Sequence, residues 1–182
     1  MALTESTMVP LGTACPPFTL PGVDGRLWSR DDFHTPALLV AVMCNHCPYV
    51  QAIDDRLNAL AKAYAGRCGV VALNCNDAVA YPDDSFEAMR QRAKAKGYAF
   101  PYLWDEDQAV ARALGAVCTP DFFLYDAHRR LAYRGRLDDN WKEPAKVTRQ
   151  ELKAAVDAVL AGLPPDEVQH PSLGCSIKWQ TR

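Results

Sequence analysis

The sequence predicts a mixed α/β sandwich, one sheet with helices on both faces. Residues 37–43 (Ala-Leu-Leu-Val-Ala-Val-Met) are apolar without alternation, as expected of a central strand covered on both sides. Val50, Ile53, Leu57, Leu60 and Tyr64 then recur at steps of three and four, with Gln51, Asp54, Asp55, Asn58 and Lys62 on the other face and Gly66 just past the end. That spacing is an amphipathic helix. A second apolar run at 69–74 follows, so strand, helix and strand come in the order of a right-handed βαβ unit.

The remaining elements follow along the chain. Phe18-Thr19-Leu20 and Arg26-Leu27-Trp28-Ser29 flank Pro21-Gly22-Val23-Asp24-Gly25, which predicts an N-terminal hairpin. Residues 76–84 are polar and predict a loop, and a helix is expected over 85–96 with Phe86, Met89 and Ala93 inward and Gly97 ending it. Asp105 and Gln108 have the spacing of a capping box for a short helix that stops at Gly115, and Thr148 and Glu151 have the same spacing for a last helix with Leu152, Val156, Val159 and Leu160 inward. Between them, residues 122–125 and 131–134 predict a second hairpin across 126–129. Residues 163–182 are expected to be a tail. Leu173, Ile177 and Trp179 within it predict that it docks, since burying a Trp and an Ile is worth roughly 1.5–3 kcal/mol each before ordering costs. Gly174 would let its backbone turn close to a neighbour.

At 182 residues the prior is a single domain, with 49% hydrophobic and 23% charged residues, the balance of a globular protein. A formal net charge of -2 argues against a nucleic-acid footprint, which draws on clustered Lys and Arg. No apolar run reaches the length of a membrane span. The first residues, Met-Ala-Leu-Thr-Glu-Ser-Thr, have neither the basic nor the apolar region of a signal peptide, so a cytoplasmic location is expected. Seven cysteines, an odd number without a signal, point away from a disulfide framework and towards thiol chemistry or metal.

Cys44-Asn45-His46-Cys47-Pro48 stands at the joint between the first long strand and its helix. A two-residue spacer lets one helical turn bring both sulfurs within bonding distance. A helix start there would put Cys44 where unpaired amides and the macrodipole stabilise a thiolate, with Cys47 the buried partner. Pro48 suits the first turn, where its missing donor costs nothing. His46 is open to three roles. It is a solvated residue at the helix start, or it adds charge or a hydrogen bond that lowers a thiol pKa, or it joins Cys44 and Cys47 around a metal completed by Cys118 or Cys175. Packing of two cysteines as small hydrophobes is the plain alternative to all of these. Cys15, Cys68 and Cys75 are expected to be structural, although Cys75 ends the second strand on the same edge as Cys44. Asp138-Asp139-Asn140 is expected to be a solvated loop.

Cys44 to Cys47 at a strand end, with Thr119-Pro120 preceding a later strand, resembles the thioredoxin superfamily, in which such a proline is cis and faces the dithiol. The stretches 44–49 and 118–123, Gly135-Arg136-Leu137-Asp138-Asp139 and the tail 171–179 are similar to a peroxiredoxin-like branch of the redoxin (AhpC/TSA) group. The resemblance implies a thioredoxin-like (peroxiredoxin-like) fold over nearly the whole chain and a cis Thr119–Pro120 bond presenting backbone to an extended substrate; with that bond cis, Cys118 is either a thiol close to the dithiol or a small buried residue at the strand entrance. Two departures stand out. Met43 replaces the tryptophan that precedes a thioredoxin dithiol, and the strand beneath carries no acid. Cys44 occupies the threonine place of a peroxiredoxin and Pro120 the place of its arginine, for which Arg134 or Arg136 are the nearest substitutes.

The expectation is therefore a thiol–disulfide oxidoreductase with a reversible Cys44–Cys47 disulfide, in which Cys44 attacks and Cys47 resolves. Cys44, Cys47, His46, Thr119, Pro120 and Cys118 are its site residues. It would act on a protein or small-molecule disulfide, use a cellular thiol reductant such as a thioredoxin, and need no cofactor, nucleic acid or membrane; a homodimer is left open. The alternatives are a thiol peroxidase with Cys47 peroxidatic and Cys44 resolving, and a metal-binding or redox-sensing module. Cys175 is expected within exchange distance of Cys118 or of the dithiol, or else to fill space beneath Trp179.

Overall fold

The computed structural model describes residues 3–181; Met1, Ala2 and Arg182, the ends of the single 1–182 domain expected from the sequence, lie outside them. The chain runs β1 (Leu3–Glu5), β2 (Thr19–Pro21), β3 (Leu27–Ser29), β4 (Ala37–Val42), α1 (Pro48–Ala63), β5 (Cys68–Asn74), α2 (Phe86–Lys96), β6 (Tyr102–Trp104), α3 (Ala109–Leu114), β7 (Cys118–Thr119), β8 (Asp121–Tyr125), β9 (Leu131–Gly135), α4 (Glu151–Leu160) and β10 (Leu173–Ser176). The central sheet has the order β6-β5-β4-β8-β9. β4 runs parallel to β5 and antiparallel to β8. β2 and β3 pair as the expected hairpin.

All six residues of β4 are buried, because helices cover both sides of it. Ala37, Leu39 and Ala41 face a layer that holds Ile53 and Leu57 of α1, Met89 of α2 and Leu152 and Val156 of α4. Leu38, Val40 and Val42 face the other layer, with Val110 and Leu114 of α3. Each of the large aliphatic side chains contributes about 1.5–3 kcal/mol of burial. No helix among the described residues is long and apolar enough to cross a membrane.

Helix ends differ from expectation where tertiary partners compete for the capping side chains. Ser85 caps α2 by accepting from the Ala88 amide, and Gly97 ends it in the left-handed region (φ 59), as the sequence predicts. Neither expected capping box forms. Asp105 accepts from the Val110 and Ala111 amides, while the Gln108 side chain donates to the Cys75 and Lys178 carbonyls instead. The Thr148 hydroxyl donates to Asp139, and Glu151 pairs with Arg136. The expectation of a solvated loop at 138–140 is likewise corrected: Asp138 is buried and ion-paired with Arg56 of α1.

The tail is more than a docked coil. β10 lies between β1 and β7, antiparallel to both. The Ser6 amide donates to the Ser172 carbonyl on one side of it, and the Ile177 amide to the Val117 carbonyl on the other. Ile177 is buried, and the Arg112 guanidinium lies over the Trp179 ring at 4.1 Å. At Gly174 a Cβ would overlap the Thr119 carbonyl oxygen and crowd Pro120, so only glycine lets β10 press against β7.

Candidate active site

The parallel βαβ unit carries the C-x-x-C to the end of β4. There the Met43 amide still donates to the Leu73 carbonyl, and the chain then breaks away as a turn. Asn45 fastens that turn: its amide donates to the Asp84 carboxylate at 2.6 Å, its side-chain nitrogen to the Asp83 carbonyl, and its side-chain oxygen accepts from the Tyr102 hydroxyl. α1 starts only at Pro48, with Cys47 as the N-cap. This corrects the expectation that Cys44 sits at the helix start, and the electrostatics move with it. Among the described residues all seven cysteines are thiols.

Pairing with the neighbouring Cys44 thiol is the main cause holding the Cys47 thiol below its ordinary pKa. Burial opposes it, as does the Thr119 carbonyl to which the Cys47 S–H donates, while the Cys175 thiol, the Val50 amide in the first turn and the Thr119 side chain favour the anion. The same pairing pushes Cys44 up, and burial and the Asp84 carboxylate push it further. The low-pKa thiol is thus Cys47 rather than Cys44. Both are enclosed: Cys44 is 1% exposed and Cys47 0%.

β7 closes the site from the other side. The Thr119–Pro120 bond is cis, the Thr119 hydroxyl lies 3.3 Å from Cys44 Sγ, and the Thr119 carbonyl oxygen lies 3.1 Å from Cys47 Sγ. The backbone edge expected to receive an extended substrate is already occupied, since Thr119 pairs with Cys175 of β10. Cys118 belongs to the same strand, but its thiol is directed at the Pro120 carbonyl, and burial, then Asp121, raise its pKa.

His46 is brought within 4.8 Å of Cys44 Sγ, and the hydrogen bond of its Nδ1 goes to an acid and not to a sulfur. Its Nδ1 meets the Asp84 carboxylate at 2.6 Å, and its ring stacks on Tyr81 with centroids 5.4 Å apart. Asp84, fully buried, is the residue that sequence reasoning missed. It accepts from Asn45, His46 and the Asn74 and Asn76 side chains and is a buried acid beside the dithiol that comes from a loop, not from the strand beneath it. Nothing local marks it, because it is one of two adjacent acids before a helix. Cys44, His46 and Asp84 place one ligand atom each within 4.8 Å of one another, a different set from the Cys44, His46 and Cys47 combination weighed from the sequence. The Asp84 oxygens are already engaged by protein donors, which favours a structural and electrostatic role. Arg134 donates to the Val9 carbonyl and to Gln169, and Arg136 to Glu151, so neither stands in for the missing arginine.

Asp84→Asn is expected to lower the Cys44 pKa by removing the negative charge that raises it. With one acceptor oxygen where four donors converge, it should also cost about 1–3 kcal/mol. An ultraviolet thiolate titration and thermal unfolding check the two effects.

Residues 11–134 match the AhpC/TSA family. The chain belongs to the AhpC/TSA family. A hypothetical protein from Sinorhizobium meliloti 1021 is 48% identical over 98% of this chain and 100% of its own, with a TM-score of 0.94. An uncharacterized conserved protein from Geobacillus kaustophilus is 45% identical over 100% of this chain and 98% of its own, also with a TM-score of 0.94. The thioredoxin family thiol:disulfide interchange protein of Chlorobium tepidum TLS shares the fold at 20% identity, covering 68% of this chain and 84% of its own, with a TM-score of 0.58. A search of the curated proteins finds no match. The fold of this AhpC/TSA chain is thioredoxin-like, as the resemblance implied.

Proposed function

We propose that this AhpC/TSA chain is a thiol–disulfide oxidoreductase that cycles between a Cys44/Cys47 dithiol and a Cys44–Cys47 disulfide. The observation that carries this is the C-x-x-C at the start of α1, with Cys47 as the N-cap and both sulfurs set against Thr119 of the cis Thr119–Pro120 bond. The Cys47 thiolate attacks a substrate disulfide, forming a mixed disulfide and releasing one substrate thiolate. Cys44 then gives up its proton and attacks Cys47 Sγ, so that the bond to the second substrate sulfur breaks and that sulfur leaves with the proton. A cellular dithiol such as a thioredoxin returns two electrons and restores the pair. This order of the two cysteines is the reverse of the one expected from the sequence: the neighbouring Cys44 thiol, Cys175 and the first turn of a helix that starts at Pro48 all favour the anion on Cys47. A reducing compartment such as the cytoplasm fits seven thiols.

With both sulfurs enclosed and β10 on the Thr119 edge, small disulfides are the favoured substrates, and a protein disulfide requires β10 to lift. A second reading, a peroxidase with Cys47 peroxidatic, is favoured by the Cys47-Pro48 cap and opposed by Pro120 where an arginine is needed. Parallel assays on one preparation separate them. A small aromatic disulfide with a dithiol reductant should be turned over, whereas hydrogen peroxide should be consumed no faster than by a simple thiolate. Rapid peroxide consumption with no disulfide turnover would replace the oxidoreductase with the peroxidase.

A further inference from the structure

We propose that Cys175 is a third redox-active thiol, a second resolving group for Cys47 delivered by the C-terminal strand. This rests on the dithiol chemistry proposed above and adds a residue to it. Cys175 Sγ lies 3.0 Å from Cys47 Sγ, although the two residues are 128 positions apart. Closing that gap to a disulfide of ~2.05 Å needs a movement of about 1 Å. The register that produces the approach is fixed on every side. Cys175 pairs with Leu3 of β1 and with Thr119 of β7, Gly174 lets the strand press onto the Thr119 carbonyl, and the Lys178 amide donates to Asn76 just beyond.

A cysteine that only fills space has no need to meet the most anionic sulfur of the molecule. In the resting state burial and the neighbouring Cys47 keep Cys175 protonated, with its pKa raised to about 12, and the two sulfurs lie in hydrogen-bond contact. Once Cys47 is bonded to a substrate sulfur its negative charge is gone, and Lys178 favours a Cys175 anion. Cys175 then attacks Cys47 Sγ. The Cys47–Cys175 bond forms as the bond to the substrate sulfur breaks, and the substrate leaves as a thiolate that takes up the proton from Cys175. Cys47 and Cys175 together have lost the two electrons that the substrate disulfide gained. Attack of Cys44 on Cys47 afterwards frees Cys175 and gives Cys44–Cys47, with no net redox change.

The test is the reaction of reduced Cys44→Ser and of Cys44→Ser/Cys175→Ser with 5,5′-dithiobis(2-nitrobenzoate). Each is quenched in acid and mapped for disulfides, and Cys175→Ala replaces the serine if circular dichroism shows the double variant misfolded. In Cys44→Ser the arylthio group on Cys47 should be lost and a Cys47–Cys175 disulfide found, with twice the aryl thiol released from Cys47 as in the double variant, which should retain the adduct. Retention of the Cys47 adduct in both proteins would overturn the proposal, as would a Cys47–Cys118 disulfide in the first. If Cys47 takes no adduct in either protein and wild type forms no disulfide at Cys47, the dithiol chemistry itself fails, and the role of Cys175 falls with it.

Discussion

Replacing Cys47 by serine is expected to abolish disulfide turnover, a fall of roughly 10³-fold or more, because the sulfur lost is the attacking group of every cycle. Cys44→Ser removes the main cause of the lowered Cys47 pKa but keeps the attacking sulfur, so it should slow the first step without abolishing it. Stopped-flow reduction of an aromatic disulfide resolves the two cases: a slower first release of aryl thiol from Cys44→Ser and none from Cys47→Ser. The pH dependence has a defined sign. The Cys47 pKa is lowered, so its anion persists below the range in which an ordinary thiol is already protonated. Alkylation of Cys47 should therefore remain rapid in mildly acidic solution and be lost only as the pH falls through the depressed pKa. Preferential alkylation of Cys44 would reverse the assignment.

Arg92→Ala is expected to cost about 3–5 kcal/mol, towards the lower end of that range because a second cation remains. Asp54 of α1 is fully buried and is held by the Arg92 guanidinium, by Lys96 at 3.2 Å and by the Tyr98 hydroxyl at 3.2 Å. Removing Arg92 strands most of a buried charge and loosens α2 from the helix that positions Cys47. At roughly 2–4 °C per kcal/mol for a chain of this size, the melting temperature should drop by about 10 °C. Thermal unfolding followed by circular dichroism checks this, and a shift of only a degree or two would mean that Lys96 and Tyr98 suffice.

The central architecture was legible because its signals are local and strong. The uninterrupted run that became β4 and the three-four spacing of Val50, Ile53, Leu57 and Leu60 admit few alternatives, and C-x-x-C at their junction marked the site. Which cysteine bears the charge was not legible, since it turns on how the two thiols sit against each other and against Cys175 as well as on where the helix begins. Both capping boxes failed for a tertiary reason. Gln108 found the Cys75 and Lys178 carbonyls, and Glu151 found Arg136. Asp84 reaches His46 from 38 positions away, a pairing that no local pattern encodes. The tail offered Leu173, Ile177 and Trp179 as anchors, but Leu173-Gly174-Cys175-Ser176 has little intrinsic strand preference. It is a strand because β1 and β7 present edges on both sides of it, and for the same reason the Thr119 edge is filled by the chain itself.

The most direct measurement is a redox titration of the Cys175→Ser protein in dithiothreitol buffers of graded potential, with acid quenching and peptide mapping at each point. The Cys175 substitution leaves both cysteines of the C-x-x-C in place. A single two-electron transition that yields the Cys44–Cys47 disulfide is predicted. If Cys44 and Cys47 instead remain thiols throughout, or oxidise separately without joining, the chain does not work through this dithiol.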